Sequence, residues 1–265
     1  MSSGLSESDN TMAGLSRPVP LCEGVSVLFT DRAGGVSSGP FSTLNLSDAV
    51  GDDPSAVASN RGRVLRAIGP GPQRLAWMHQ VHGAGVIYAS GSRSPRVGGL
   101  PGDASPQADA AYTDSPEVAL GVLSADCAPV LVADPAARIA GAAHAGRPGM
   151  AAGVVPALIA AMAAAGAEVG RMHAIVGPCI CGRCYEVPAG MRAEVAAAVP
   201  GSACTTRAGT PGIDLRAGLR GQLAGLGVAS VADDLRCTAE SAELFSYRRD
   251  GSTGRFAGLI WFGRG

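Results

Sequence analysis

The run SADCAPVLVADPAARIAGAAHAG, Ser124 to Gly146, constrains the chain more tightly than any other stretch. Two short apolar segments, Val130–Ala133 and Ile139–Ala143, flank Asp134-Pro135, a turn signal, so the run reads as a β-hairpin turning at Asp134–Ala137. If Ala133 pairs with Arg138, six steps back along one strand and six forward along the other put Cys127 directly opposite His144. Directly paired residues share one face, with Cβ atoms about 4.5–5.5 Å apart. That separation suits a thiolate at about 2.3 Å and an imidazole nitrogen at about 2.0 Å from one zinc ion. The hairpin therefore offers half a metal site. A one-residue slip would put the two side chains on opposite faces, and the plainer alternative is a buried free cysteine beside a hydrogen-bonded histidine.

The 265 residues are 46% hydrophobic and 16% charged, enough for a packed core. Lys+Arg 21 against Asp+Glu 22 leaves a net charge of −1, so no overall field favours nucleic acid or an anionic membrane. Aromatics at 4% argue against a base-stacking platform, and the expected partners are small molecules. Residues 1–17 lack the basic start and apolar stretch of a signal peptide, which predicts a flexible tail and a cytoplasmic location. Pro148–Ala167 carries no charge, but its Ala/Gly composition and Pro156 favour a buried helix over a membrane span. Seven cysteines without an export signal point to thiols, metal or chemistry, not to a disulfide framework. Cys181 and Cys184 form a C-x-x-C beside Cys179, but no second pair at zinc-ribbon spacing accompanies them, so they read as loop thiols or a structural metal site.

Strands are expected at Gly24–Thr30, Val86–Ala89, Ala110–Thr113, Val118–Leu123, Met172–Val176, Val228–Asp233, Leu244–Tyr247 and Arg255–Phe262. Helices are expected from an N-cap at Ser55 to about Ile68, over the Ala-rich segment ending near Gly166, around Glu194–Val199, and through the leucines 215, 219, 223 and 226. Asp31–Pro54 is a long Gly/Ser/Pro loop, a class that is usually functional, and Ser90–Ser105 is a second polar stretch. No composition break divides the chain. The fold class is α/β (α+β): one catalytic domain over residues 18–265, built on mixed β-sheets with flanking helices.

Only four histidines exist, His79, His82, His144 and His173. One of His79 and His82 would complete a His₂Cys tripod with Cys127 and His144, the set that leaves zinc's fourth position open. Asp126, beside Cys127 on an expected strand, would point to the other face and serve structurally.

The blocks TDRAGGVSSGPFSTLNL, NRGRVL, WMHQVHGAGV, SADCAPVLVADP, GAAHAGRPG, IVGPCICGRCYEV, DLRAGLRGQL, RCTAESAELFSYRRD and TGR span nearly everything but the tail. In them the chain resembles the polyphenol-oxidase/laccase-domain family, also described as the peptidoglycan editing factor family, whose members include zinc-dependent purine nucleoside phosphorylases. The resemblance implies that the His of QVHG, the Cys of ADC and the His of HAG bind the metal and serve catalysis: His82, Cys127 and His144. The family commonly has Trp and then Arg after HAG, where this chain has Arg147 and Pro148. A substrate contact near His144 is thereby displaced, with Arg147 available to restore the charge.

Four functions compete. The resemblance implies a zinc enzyme, with copper the alternative metal, that phosphorolyses adenosine, inosine and methylthioadenosine and deaminates adenosine. A tripodal metal can polarise an oxygen or lower the pKa of bound water to about 7. Arg61 and Arg248 would grip phosphate through their guanidinium forks, if they are not surface or packing residues. Asn45 and Gln80 would read a base or ribose edge. A multicopper polyphenol oxidase needs more imidazoles than four histidines provide. A cysteine hydrolase, with Cys127 as nucleophile and His144 as base, would suit an editing role on a peptidoglycan precursor. A non-enzymatic binding module is the fourth. The sequence does not fix the oligomeric state.

Overall fold

The structure, a computed structural model, describes residues 16–91 and 106–263. Most of the expected tail and of the Ser90–Ser105 stretch lies outside the described residues.

In chain order the strands are β1 (Val19–Cys22), β2 (Val25–Phe29), β3 (Arg74–Ala76), β4 (Val86–Tyr88), β5 (Ala110–Thr113), β6 (Val118–Ser124), β7 (Ala128–Asp134), β8 (Ile139–Ala145), β9 (His173–Val176), β10 (Ala203–Thr205), β11 (Pro211–Ile213), β12 (Ser230–Asp233) and β13 (Phe256–Phe262). The helices are α1 (Pro54–Ala67), α2 (Arg147–Ala151), α3 (Val154–Ala164), α4 (Ala189–Ala198), α5 (Leu215–Gly225) and α6 (Tyr247–Asp250). A five-stranded sheet runs β1-β2-β13-β6-β3, a six-stranded sheet runs β12-β9-β7-β8-β5-β4, and β10 and β11 form a small ribbon. Both large sheets are mixed: β3 lies parallel to β6, β4 to β5 and β12 to β9, among antiparallel neighbours. The expected α/β class with mixed sheets is what the chain forms.

The two sheets pack face to face. Val27, Leu120, Val122 and Ile260 of one meet Leu131, Ala140 and Ala142 of the other. Alternate residues point outward: Val130, Val132 and Ala143 pack on Leu158 and Met162 of α3 and on Leu219 and Leu223 of α5. On the far side, Leu28 and Leu259 pack on Leu44, Leu46 and Val64 from the long loop and α1. The order helix, sheet, sheet, helix buries the central strands on both faces, which is why β7 and β13 are buried throughout, and apolar apart from Asp134 at the end of β7, instead of alternating.

The β7–β8 hairpin turns one residue later than the sequence count expects. Asp134 pairs with Ile139, and Pro129, not Cys127, stands opposite His144. The cause is the Asp134 side chain, which accepts from Ala136 N–H at 3.0 Å and Ala137 N–H at 3.1 Å and so acts as the first residue of the turn. Arg138 then takes a left-handed φ of 53°. The register differs from the count by two, an even number, so Cys127 and His144 keep the same face as diagonal neighbours.

Three local expectations are corrected. The N-cap of α1 is Asp53, whose carboxylate accepts from Ser55 N–H at 2.9 Å, with Pro54 at the first helical position. The uncharged segment after the hairpin forms two helices, because Gly153 breaks it with φ 82°. Among the described residues no helix is long and apolar enough to cross a membrane. Leu244–Tyr247 is not a strand: Leu244 and Phe245 pack against Ala125 and Phe256, and Ser246 caps α6 by accepting from Arg249 N–H.

Asp134 is wholly buried and also accepts from Glu168 N–H at 2.8 Å and pairs with Arg171 at 3.1 Å. Burial pushes its pKa up, but these donors outweigh it and hold the carboxyl below its ordinary value. Its stabilising contribution is therefore complete above the unfolded pKa of about 3.9 and is lost as pH falls through the folded value. Asp134→Ala is expected to cost about 2 kcal/mol at neutral pH by denaturant unfolding, and the difference from wild type should shrink below about pH 4.

Candidate functional site

The site assembles around a carboxylate that sequence reasoning missed. Asp109, fully buried just before β5, accepts backbone N–H groups from Val81 (3.2 Å), His82 (2.9 Å) and Gly83 (2.7 Å). It also pairs with His144 Nδ1 at 2.8 Å, while its own carbonyl accepts from His144 N–H at 2.7 Å. One side chain thus fixes the His82 turn and the ring of His144. His82 carries a left-handed φ of 59°, which a non-glycine residue holds only against a cost of about 1 kcal/mol. Cys127 sits just before β7, where Ser124 Oγ donates to its carbonyl at 2.5 Å. The only signal available for Asp109 was an acidic residue one position before an apolar strand.

The donor atoms of His82, Cys127 and His144 all lie within 4.8 Å of one another, with Cys127 Sγ 3.8 Å from His82 Nε2. The two imidazole rings sit edge to face at 4.7 Å. Of the two candidates flanking Val81, it is His82 that joins this group. Because His144 Nδ1 is taken by Asp109, its Nε2 is left for a metal, the arrangement in which a carboxylate orients a ligating histidine. A tetrahedral zinc would separate a sulfur and two nitrogens by about 3.3–3.5 Å, so the residues fit such an ion with small side-chain movements. Gly146 makes room: a Cβ there would stand 2.6 Å from Cys127 Sγ and 3.0 Å from His82 Cδ2. The electrostatics also suit a bound thiolate. Burial alone would raise the Cys127 pKa, but His144 and His82 bring it down to about 6. Burial would lower that of His144, yet Cys127 and Asp109 hold it up at about 9.

The group forms the floor of a cleft of about 1180 Å³, larger than a typical small-molecule pocket. Arg61, Arg147, Arg248 and Arg255 all line it. Arg61 is steadied by donation to Leu46 O at 2.9 Å, by Asp48 at 3.3 Å and by the Trp77 ring beneath it at 5.2 Å. Arg248 is exposed, lies 5.2 Å from the Tyr185 ring centroid and donates to Glu186 O at 3.2 Å. Arg147, which follows HAG, also lines the cleft and acts on Tyr185: burial raises the Tyr185 pKa, and Arg147 opposes it. Gln80 also faces the cleft, though its amide exchanges two 2.8 Å hydrogen bonds with the Leu123 backbone. Asn45 is brought elsewhere. It is fully buried, donates to Ser47 O and Asp52, and accepts from Ser47 N–H and Arg255 N–H, so it shapes the loop that presents Arg255. Asp126 binds Thr238 Oγ1, Ser246 Oγ and Arg248 N–H, a structural tie between loops. His79 lines the cleft outside the three-residue group, and His173 pairs with Ser230 at 2.8 Å.

Asp109→Asn is expected to lower metal affinity at the three-residue group by about 10–100-fold with the fold retained, read by competition with a fluorescent chelator. Gly146→Ala should reduce bound metal through steric displacement of Cys127; unchanged metal content in a folded variant would contradict this geometry.

Residues 26–263 match the family model described as multi-copper polyphenol oxidoreductase laccase. A protein named purine nucleoside phosphorylase from Streptomyces griseus is 51% identical over 246 residues, covering 92% of this chain and 97% of its own. One of the same name from Mycobacterium tuberculosis is 52% identical over 232 residues, covering 88% and 90%. Among solved structures, a Neisseria meningitidis protein superposes with a TM-score of 0.82 at 36% identity, covering 95% of this chain and 100% of that one. YlmD from Geobacillus stearothermophilus gives 0.86 at 31% identity, covering 95% and 97%. With nearly the whole described chain inside the match, this protein belongs to the multi-copper polyphenol oxidoreductase laccase family.

Proposed function

We propose that this chain is a zinc-dependent purine nucleoside phosphorylase of the cytoplasm, acting on adenosine, inosine and methylthioadenosine, with adenosine deamination as a second activity. His82, Cys127 and His144 are its metal ligands and catalytic centre, in one catalytic domain over residues 18–265. The observation that carries the reading is the convergence of a three-donor group with four arginines in one cleft. The relatives' shared name supports the reaction class.

Phosphorolysis forms a bond from a phosphate oxygen to C1′ of the ribose and breaks the bond from C1′ to the purine nitrogen. The bonding pair leaves with the base, which gains a proton. The work is positioning and electrostatics. Arg61 and Arg255 are the better-fixed guanidinium groups, held by backbone carbonyls, and would orient the phosphate. Arg147 and Arg248, which also line the cleft, would close on the anion, and Tyr185 and Tyr247 are the lining aromatics available to a base. Asp109 holds the Nδ1 proton of His144, keeping Nε2 directed to the centre. Bound zinc would supply Lewis-acid polarisation of an oxygen at its open position. Zinc is favoured over a multicopper assembly because only two of four histidines join the group.

A second reading, a cysteine hydrolase acting on a cell-wall precursor, is favoured by one observation: the Cys127 pKa brought down to about 6 beside a cationic His144. Chelation separates the two, because the hydrolase would keep its activity without metal.

Purified zinc-loaded protein with adenosine should yield adenine only when phosphate is present, and inosine without it. Cys127→Ala should abolish both, while Arg61→Ala should raise KM for phosphate by about tenfold or more. If neither adenine nor inosine forms, the nucleoside reading fails.

A further inference from the structure

The C-x-x-C turn gains in three dimensions the second pair that the sequence lacked. Cys184 N–H and Tyr185 N–H both donate to Cys181 O, at 2.9 and 3.0 Å, closing a tight turn with Cys181 and Cys184 three residues apart. A second turn has the same form: Glu240 N–H and Ser241 N–H donate to Cys237 O at 3.1 and 2.8 Å, with Cys237 and Glu240 three residues apart. An isolated parallel bridge between Cys179 and Cys237, with Thr238 N–H donating to Cys179 O at 3.2 Å, sets the turns side by side. Cys181 N–H donates across them to Cys237 Sγ at 3.3 Å. As a result the donor atoms of Cys181, Cys184, Cys237 and Glu240 all lie within 4.8 Å of one another.

We propose that Cys181, Cys184, Cys237 and Glu240 form a second metal site, a structural zinc site closed by three thiolates and one carboxylate. The donor set selects the metal. Three sulfur ligands are too soft for magnesium or calcium and suit zinc, which takes four ligands tetrahedrally in structural sites. Tetrahedral sulfur ligands at about 2.3 Å from zinc stand about 3.8 Å apart, within the observed spread. The pattern is that of a zinc ribbon, C-x-x-C facing C-x-x-E. Cys237 is buried while Cys181 and Cys184 are half-buried and Glu240 exposed, so an ion has a route in from solvent. Arg207 pairs with Glu240 Oε1 and holds the carboxylate at the rim, and a metal needs only one of its oxygens. The site lies outside the cleft, yet both turns abut its wall: Ile180 N–H donates to Asp126 O at 2.9 Å, and Thr238 Oγ1 to Asp126 Oδ1 at 2.6 Å. A bound ion would staple the segment carrying Ile180 and Tyr185 to the segment carrying Thr238, next to Cys127.

The test uses the full-length Cys127→Ala protein, so that the cleft thiolate is removed and no activity is read. Stripped of metal under reducing conditions and titrated with cobalt(II), it should bind one equivalent with thiolate-to-cobalt charge-transfer absorption and tetrahedral visible bands. Zinc should displace the cobalt and raise Tm. Adding Cys184→Ser should remove the bands. Adding Glu240→Ala, a change at an exposed residue, should leave the fold intact and weaken cobalt binding by about tenfold or more, which keeps the test informative if the serine variant does not fold. Folded Cys127→Ala protein without the charge-transfer bands, or with a disulfide among the three cysteines under reducing conditions, would overturn the proposal. Unaltered affinity in Glu240→Ala would overturn the ligand set.

Discussion

Asp109 has no exposure and accepts from three consecutive backbone N–H groups and from His144 Nδ1. A buried carboxylate with fewer donors would leave a charge uncompensated, so the turn and the strand are each required by the other's geometry. Burial raises its pKa, and the His144 ring with the Gly83 and Val81 N–H groups overcomes that and keeps it ionised. The strained φ of His82 is held by the same contacts. The three-residue group is placed relative to this anion: the His144 ring directly, His82 through its backbone N–H, and Cys127 through the hairpin that carries His144.

The scaffold beneath it explains how a rigid centre sits at the edge of a cleft. β7 and β8 lie inside the six-stranded sheet, covered on one face by the second sheet and on the other by α3 and α5. Their backbone has little freedom to shift register, and Asp134 pins the far end of the hairpin. The cleft walls, by contrast, come from loops: the 31–54 segment that presents Arg61's partners, and the 177–187 and 234–250 segments tied together at Asp126. His144 on a strand, with His82 and Cys127 in turns abutting the sheet and the walls on loops, is the division expected of a functional site on a packed frame.

How much of this was legible follows from the range of each signal. The hairpin could be counted because two apolar runs and a turn are local, and the two-residue error was harmless because strand faces repeat every two residues. The apolar strands β5, β6 and β13 were readable for the same reason. Leu244–Tyr247 was not, because its two buried apolar residues, Leu244 and Phe245, pack from a turn held by distant Asp126. The Cys237–Glu240 turn was invisible as a partner for Cys181–Cys184, since the bridge to Cys179 and the Cys181 N–H to Cys237 Sγ bond join segments more than fifty residues apart. Asn45 shows the opposite failure. A polar residue in a long loop suggested ligand contact, yet all its side-chain hydrogen bonds are spent inside the loop and on Arg255. Arg255 stood in the TGR block but gave no local sign that its side chain would reach a cleft whose lining runs from Ser47 to Arg248.

The measurement that tests the account most directly is an anomalous difference map at the zinc absorption edge from crystals of the zinc-loaded protein. A zinc centre held by these residues gives a peak with Cys127 Sγ at about 2.3 Å and the nitrogens of His82 and His144 at about 2.0 Å, with Asp109 still on His144 Nδ1. No peak between these three residues in metal-replete crystals would contradict it and would leave Cys127 and His144 as a thiolate–imidazolium pair.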